Sequence, residues 1–201
     1  MKYLLLLLFL SCTNTNSADP YKTAAITANK DFYGKLSDAA LTLTNDDVEY
    51  DPKYFTIAYP NGDVPKGKGV CTDVVIRAYR KLGIDLQKEV HEDMKNDFSK
   101  YPKTWGLKTT DTNIDHRRVP NLQVFFCRFG KVLPITDKAI HYKPGDIVTW
   151  MLPGGHPHVG LVVDKKAPSG RYMMVHNIGY GQNLDDCLFN SKITGHYRYK
   201  K

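Results

Sequence analysis

Residues 66–83 read KGKGVCTDVVIRAYRKLG, a glycine-rich loop, a cysteine and then an amphipathic run. Val74, Val75, Ala78, Tyr79 and Leu82 recur at three- and four-residue steps, and Gly83 supplies a C-terminal cap. The spacing predicts a helix of about three turns with Cys71 at its start. At such a position the helix dipole and unpaired backbone N–H groups stabilise a thiolate and lower its pKa. The same N–H groups can hold an oxyanion formed on an attacked carbonyl. Three uses of Cys71 stand open on this stretch alone: a small core residue, half of a disulfide, or a nucleophile.

Outward from this helix the chain divides in two. Phe32, Leu36, Ala39, Ala40 and Leu43 give residues 31–43 a helical period. The Tyr-, Pro- and Gly-rich stretch that follows is expected to be extended strand and loop. Asp85 reads as an N-cap for a helix carrying Leu86, Val90, Met94 and Phe98. VPNLQVFFCRFG looks like a strand, yet Leu122, Phe125, Phe126 and Phe129 fall at i, i+3, i+4 and i+7. Pro120 suits a first helical position and Gly130 a C-cap, so the run is predicted helical, with Cys127 off its apolar stripe. From Tyr142 onward PGDIVTWML, HVGLVVD, RYMMVHN and ITGHYRY are short β-rich runs parted by Gly, Pro and Asn. Helices first and a meander of antiparallel strands afterwards is an α+β layout.

The N-terminal MKYLLLLLFLSC is a cationic start, an apolar run too short to cross a bilayer, and a small residue before Cys12. It reads as a secretory signal over 1–11, similar to a lipoprotein signal in which Cys12 is lipidated. The alternative is an ordinary signal cleaved nearer Ala18. Residues 12–28 read as a polar tether and 29–201 as one domain, long enough for its own core. The expected protein is exported to the cell envelope or periplasm and held to a membrane by its lipid. The net charge of +7 is scattered among acids with no basic stripe, which argues against nucleic acid. An anionic envelope polymer or membrane surface is the better match for a basic exported protein. Beyond Cys12 the cysteines are Cys71, Cys127 and Cys187, an odd set that leaves at least one thiol unpaired within the chain. Without a CxxC pair a structural zinc site is not expected.

A cysteine nucleophile needs an imidazole within reach and a third group to orient it. His158 opens a β-branched run and shares a strand face with Gly160, a small neighbour that would leave room for a substrate. His176 and Asn177 end the next run, across a turn at KKAPSG. If the two runs pair as a hairpin, His158 and His176 meet at one rim, and His176 or Asn177 can fix the tautomer of His158. Each residue alone also fits packing or surface polarity. His156 and His158 could pair on a metal, but no third ligand lies near them in sequence, and neither metal nor cofactor is expected.

A helix-N-terminal Cys, then PGDIV, HVGLVVD and a strand ending VHN, resembles the NlpC-type cell-wall cysteine peptidases and amidases of bacteria. More narrowly, YPNGDVP, GVCTDVV, DHRRVPNL, PGDIVTW and HNIG resemble the bacterial domain of unknown function 1287, from about Asp31 to Tyr199. The resemblance implies a papain-like α+β fold with N-terminal helices packed on a C-terminal antiparallel sheet. It implies Cys71 as nucleophile, His158 as base and His176 as orienter, and it places Tyr59 near the nucleophile. Those peptidases often carry Asp-Cys-Ser-Gly, where acid and Ser hold the free amine of a stem peptide; here the residues are Val70, Cys71, Thr72 and Asp73. Asp73 can replace that amine contact or simply stabilise the helix start. Asp115, His116, Arg117 and Arg118 form a charged cluster that can clamp a substrate carboxylate or lie solvated in a loop.

The function expected on these grounds is an exported amidase or endopeptidase that hydrolyses a peptidoglycan amide through a Cys71 thioester. The expected protein is a monomer. The rival expectations are a non-catalytic envelope-binding module on the same scaffold, or an acyltransferase in which an amine replaces water.

Overall fold

A computed structural model describes residues 30–201. The expected signal segment, Cys12 and the tether lie outside the described residues. Helix α1 (Phe32–Leu43) begins at Asp31, whose carboxylate accepts the Gly34 N–H, and buries Leu36, Ala40 and Leu43. Strands β1 (Glu49–Tyr50) and β2 (Lys68–Gly69) form a short parallel pair just before helix α2 (Cys71–Arg80). Helix α3 (Leu86–Asn96) starts at Asp85, which accepts from the Gln87 and Lys88 N–H groups. Helix α4 (Val119–Phe129) follows a long loop, and strand β3 (Lys131–Val132) follows it directly. The remaining strands are β4 (Ile147–Leu152), β5 (His156–Lys166), β6 (Tyr172–His176), β7 (Asn183–Asp185) and β8 (Lys192–Arg198).

The four predicted helices are present, with shifted ends. The chain leaves α3 at Asp97, whose carboxylate is drawn to Arg128 on α4, so Phe98 sits in a separate 3-10 turn. Val119 precedes Pro120 in α4, which makes the proline its second residue, where a missing N–H still costs nothing. The sheet departs from a pure meander. Its order is β3-β8-β4-β5-β6-β7, all antiparallel, so β4 to β7 meander while β8 returns to the far side of β4.

Strand alternation gives the sheet two buried faces. Ile147, Val159, Leu161, Val163 and Val175 pack with Val74, Val75, Ala78 and Tyr79 of α2 and with Leu36 and Phe126. Each such aliphatic side chain taken from water contributes roughly 1.5–3 kcal/mol. Val148, Trp150, Val162 and Met174 face the other way, beneath Tyr142 and Leu188 from the connecting loops. The α+β architecture expected from the sequence, helices packed on an antiparallel sheet, is the one observed.

Candidate active site

Cys71 is the first residue of α2, and its thiol is buried in the helix-side core. Val70 at the N-cap has no side-chain oxygen to cap the helix. Asp73 does part of that work: its Oδ2 accepts the Val70 N–H at 2.7 Å. Arg117 holds the same carboxylate through Nε and Nη2, each at 3.1 Å, with both side chains almost fully buried. Arg117 also donates to the Lys53 and Asp51 carbonyls. Asp73 therefore takes the second of its two expected roles, at the helix start, and Arg117 is its buried partner rather than a free substrate clamp. Each neutralises the other, and together they set the start of α2.

One further hydrogen bond fixes the cysteine loop. Asn177 Nδ2 donates to the Gly69 carbonyl at 3.3 Å, tying the end of β6 to the residue before Val70. Tyr50, in β1, lies beside Cys71 in a cavity of about 200 Å³ that also includes Trp105, Arg118, Pro120 and Pro157. Tyr59, expected near the nucleophile, instead sets its ring edge against His91 at 5.2 Å between centroids. The parallel β1–β2 pair brings Tyr50 to the site, a long-range contact that motif spacing does not encode.

Burial pushes the Cys71 thiol up to about 12, while N–H groups of Val159, Thr72 and Cys71 itself pull it down. The helix-start stabilisation predicted from sequence is present, but desolvation outweighs it. The thiol in this structure is neutral.

The histidines converge as predicted. Gly160 pairs with His176 across β5 and β6, and His158 Nε2 lies 2.7 Å from His176 Nδ1. His176 Nε2 in turn meets Asp185 Oδ2 at 3.0 Å, a residue of β7 that the sequence did not flag. The three side chains run diagonally across three strands on one face, and Trp150 packs against both rings. Gly160 is needed for this packing: a Cβ there would lie 3.0 Å from His176 Cβ and 3.0 Å from the Val175 carbonyl. The space expected for substrate beside His158 is thus filled by His176 and Trp150.

The proton positions follow from this geometry. A carboxylate accepts, so His176 carries its proton on Nε2 and offers a lone pair at Nδ1. His158 must then donate from Nε2, which leaves its Nδ1 unprotonated. Among the described residues that nitrogen has no partner, yet it is not sealed from solvent. Burial, then the neighbouring His176, lowers His158 to about 3; burial also lowers His176, against the pull of Asp185. Both rings are neutral, His158 in the tautomer of a general base.

Cys71 and the imidazoles occupy opposite faces of one strand end. The thiol lies with the helix-side core and against the Val159 N–H, Pro157 lines its cavity, and His158 stands between them with its ring on the other face. Among the described residues the hydrogen-bond partners of the two rings are each other, Asp185 and Cys187, whose Sγ is 3.4 Å from His176 Nε2. Cys71, Cys127 and Cys187 are all unpaired. No metal-binding cluster occurs among the described residues, and His156 is exposed at the strand end rather than joined to His158.

The charged cluster at 115–118 resolves into separate roles. Asp115 accepts the Asp111 N–H at 2.7 Å and meets His91 Nδ1 at 3.1 Å. His116 is buried with Nδ1 unpartnered, and burial, then Arg117, lowers it to about 3. Arg118 lies over the Trp105 ring at 4.2 Å. A larger cleft of about 790 Å³ near Asp46, Lys66 and Lys81 contains neither thiol nor imidazole; its Arg77 and Arg80 both hold Asp63.

The chain belongs to the family described as domain of unknown function DUF1287, whose model matches residues 37–199. The uncharacterized protein YijF of Escherichia coli strain K12 is 46% identical over 195 residues, covering 97% of this chain and 94% of that protein. Among solved structures, NlpC1 from Trichomonas vaginalis is 17% identical with a TM-score of 0.46, over 85% of this chain and 46% of that one. An N-acetylmuramoyl-L-alanine amidase from Bacteroides uniformis is 12% identical with a TM-score of 0.48, over 84% of this chain and 99% of that one.

Proposed function

We propose that this protein is an exported cysteine hydrolase that cleaves an amide bond of peptidoglycan through a thioester on Cys71. The observation that supports it is the strand end at 157–159. The Cys71 thiol, at the start of α2, shares a cavity with Pro157 of that strand end, and the next residue carries an imidazole held in its base tautomer by His176 and Asp185.

In this reading Sγ attacks the amide carbonyl and its proton passes to Nδ1 of His158. N–H groups at the start of α2 hold the oxyanion. Collapse breaks the C–N bond, the amine leaves with the proton from His158, and a thioester remains. Water, deprotonated by the same nitrogen, hydrolyses the thioester and returns the thiol. The mechanism requires the end of β5 to bring His158 Nδ1 to the thiol. Contact would reverse both pKa displacements, since each charge stabilises the other. Hydrogen bonds of a catalytic pair commonly tighten only when substrate is bound.

Export and lipidation at Cys12 complete the proposal, because they put the enzyme in the compartment of its substrate. The test is digestion of intact sacculi by the purified protein, with fragments identified by mass spectrometry. New fragments from wild type and none from Cys71→Ala are expected. No fragments from wild type, or unchanged fragments from the variant, would overturn it.

A second reading, a non-catalytic envelope-binding module, draws on the buried neutral thiol and its lack of an imidazole partner. It requires sacculus binding without cleavage, which the same preparation measures by co-sedimentation.

A further inference from the structure

The cavity beside Cys71 has an electrostatic character that hydrolysis alone does not require. Among the described residues no carboxylate lines it, and its two cations are not equivalent. Arg117 is spent on Asp73 within the protein. Arg118 forms no ion pair among the described residues; its guanidinium stacks on Trp105, and its Nη1 is buried without a partner. Partial burial lowers the Arg118 pKa from its ordinary value, opposed by Asp115 and Asp111. The starts of two helices, Cys71 of α2 and Val119 and Pro120 of α4, also line the cavity, and helix starts favour negative charge.

From this arrangement we infer that Arg118, stacked on Trp105, is a specificity-determining residue that binds a carboxylate of the substrate next to the amide attacked by Cys71. The inference rests on the hydrolase reading for the bond that is cut, but not for binding itself. A guanidinium over an indole still donates within its own plane, and the unpartnered Nη1 lacks the acceptor that a carboxylate would supply in a two-point contact. The substrate class is an acidic peptide, which peptidoglycan stems supply; an amidated stem offers one neutral acceptor oxygen in place of a two-oxygen anion.

The experiment uses the full chain with Cys71→Ala, so that binding is read without turnover. The probes are a synthetic stem tetrapeptide with free carboxylates and the same peptide with each carboxylate converted to carboxamide. Binding is followed by calorimetry and by indole fluorescence, to which Trp105 contributes at the site. The free acid is expected to bind about tenfold tighter or better, the scale of one charge-assisted hydrogen bond. Adding Arg118→Gln should remove the preference, whereas Arg118→Lys should keep part of it and lose the stacked geometry.

Equal binding of the two peptides, or a preference that survives Arg118→Gln in a folded variant, would overturn the inference. Circular dichroism establishes that each variant is folded. The two proposals fail separately. Discrimination by Cys71→Ala with no cleavage by wild type keeps the carboxylate site and removes the hydrolase. Cleavage of both peptides with equal kcat/KM keeps the hydrolase and removes the site.

Discussion

Cys71 and Cys187 divide between them the attributes of a thiol nucleophile. Cys71 has a cavity and a helix start, but no imidazole contact. Cys187 touches an imidazole, His176, at 3.4 Å, but lies in the loop that covers the opposite face of the sheet. Burial pushes both thiols up to about 12, so acidity does not separate them. What separates them is the direction of the proton relay. At the Cys187 end, His176 Nε2 donates to Asp185 and has no lone pair to take a thiol proton. At the other end, His158 presents an unprotonated Nδ1, one residue from the Val159 N–H that reaches Cys71. Contact with a histidine is therefore a poor guide here; the end of the relay that holds the lone pair is the better one.

Removal of the Cys71 thiol carries the largest expected effect. In the proposed mechanism Cys71 is the nucleophile, so Cys71→Ala should lower sacculus cleavage by at least about 10³-fold. The next effect in size tests the relay. Asp185→Ala removes the acceptor that places the proton of His176, so His158 loses its preference for the base tautomer. A fall of about 10²-fold in kcat with little change in KM is expected. Asp185→Asn, whose amide oxygen can accept the same bond, should recover much of the loss. Nitrogen-15 spectra of the histidines provide the independent readout: His158 should be Nε2-protonated in wild type and mixed in Asp185→Ala. An unaltered tautomer in Asp185→Ala would remove Asp185 from the relay.

The contrast also marks what a sequence can disclose. Helix periods, caps and the β-rich second half identify the architecture because they are local: Asp31, Asp85 and Gly130 act within one turn of themselves. Cys71, His158 and His176 were legible for a related reason, since a hairpin turn at 167–170 links the two histidine strands. Asp185 was not, because β7 is only three residues long and its carboxylate reaches His176 diagonally. Tyr50 was missed through the parallel β1–β2 pair, which joins segments far apart in the chain. Asp73 and Arg117 read as site charges because nothing in their spacing reveals that each is the other's buried partner. Asp73→Asn should leave Arg117 unpaired and cost about 3–5 kcal/mol, measurable by urea unfolding.

A smaller effect comes from the neutral imidazoles themselves. Burial lowers His116 and His158 to about 3 from an ordinary 6.5. Between those values the unfolded chain takes up protons that the folded chain refuses, so stability is full above the ordinary value and falls as pH drops below it. The slope is about 1.4 kcal/mol per pH unit for each histidine. Urea midpoints should decrease from pH 7.5 to pH 5.5. His158→Gln should flatten the slope by one proton, and an unchanged slope would mean that His158 titrates normally in the folded protein.

The smallest predicted effect is the most informative about Cys187. Cys187→Ser keeps a small polar side chain beside His176 and leaves the Asp185 contact in place, so cleavage should stay within about threefold of wild type. A serine hydroxyl can donate to Asp185 as well as accept from His176, which bounds the change to a modest rebalancing of the relay. The measurement pairs sacculus cleavage with the His158 tautomer in the same variant. If cleavage vanishes while Cys71→Ala remains active, the thiols exchange roles and the relay runs toward Cys187. If cleavage falls and the tautomer of His158 changes with it, Cys187 is a positioning residue that acts through His176. If neither moves, the 3.4 Å contact is packing alone, and the relay is complete at Asp185.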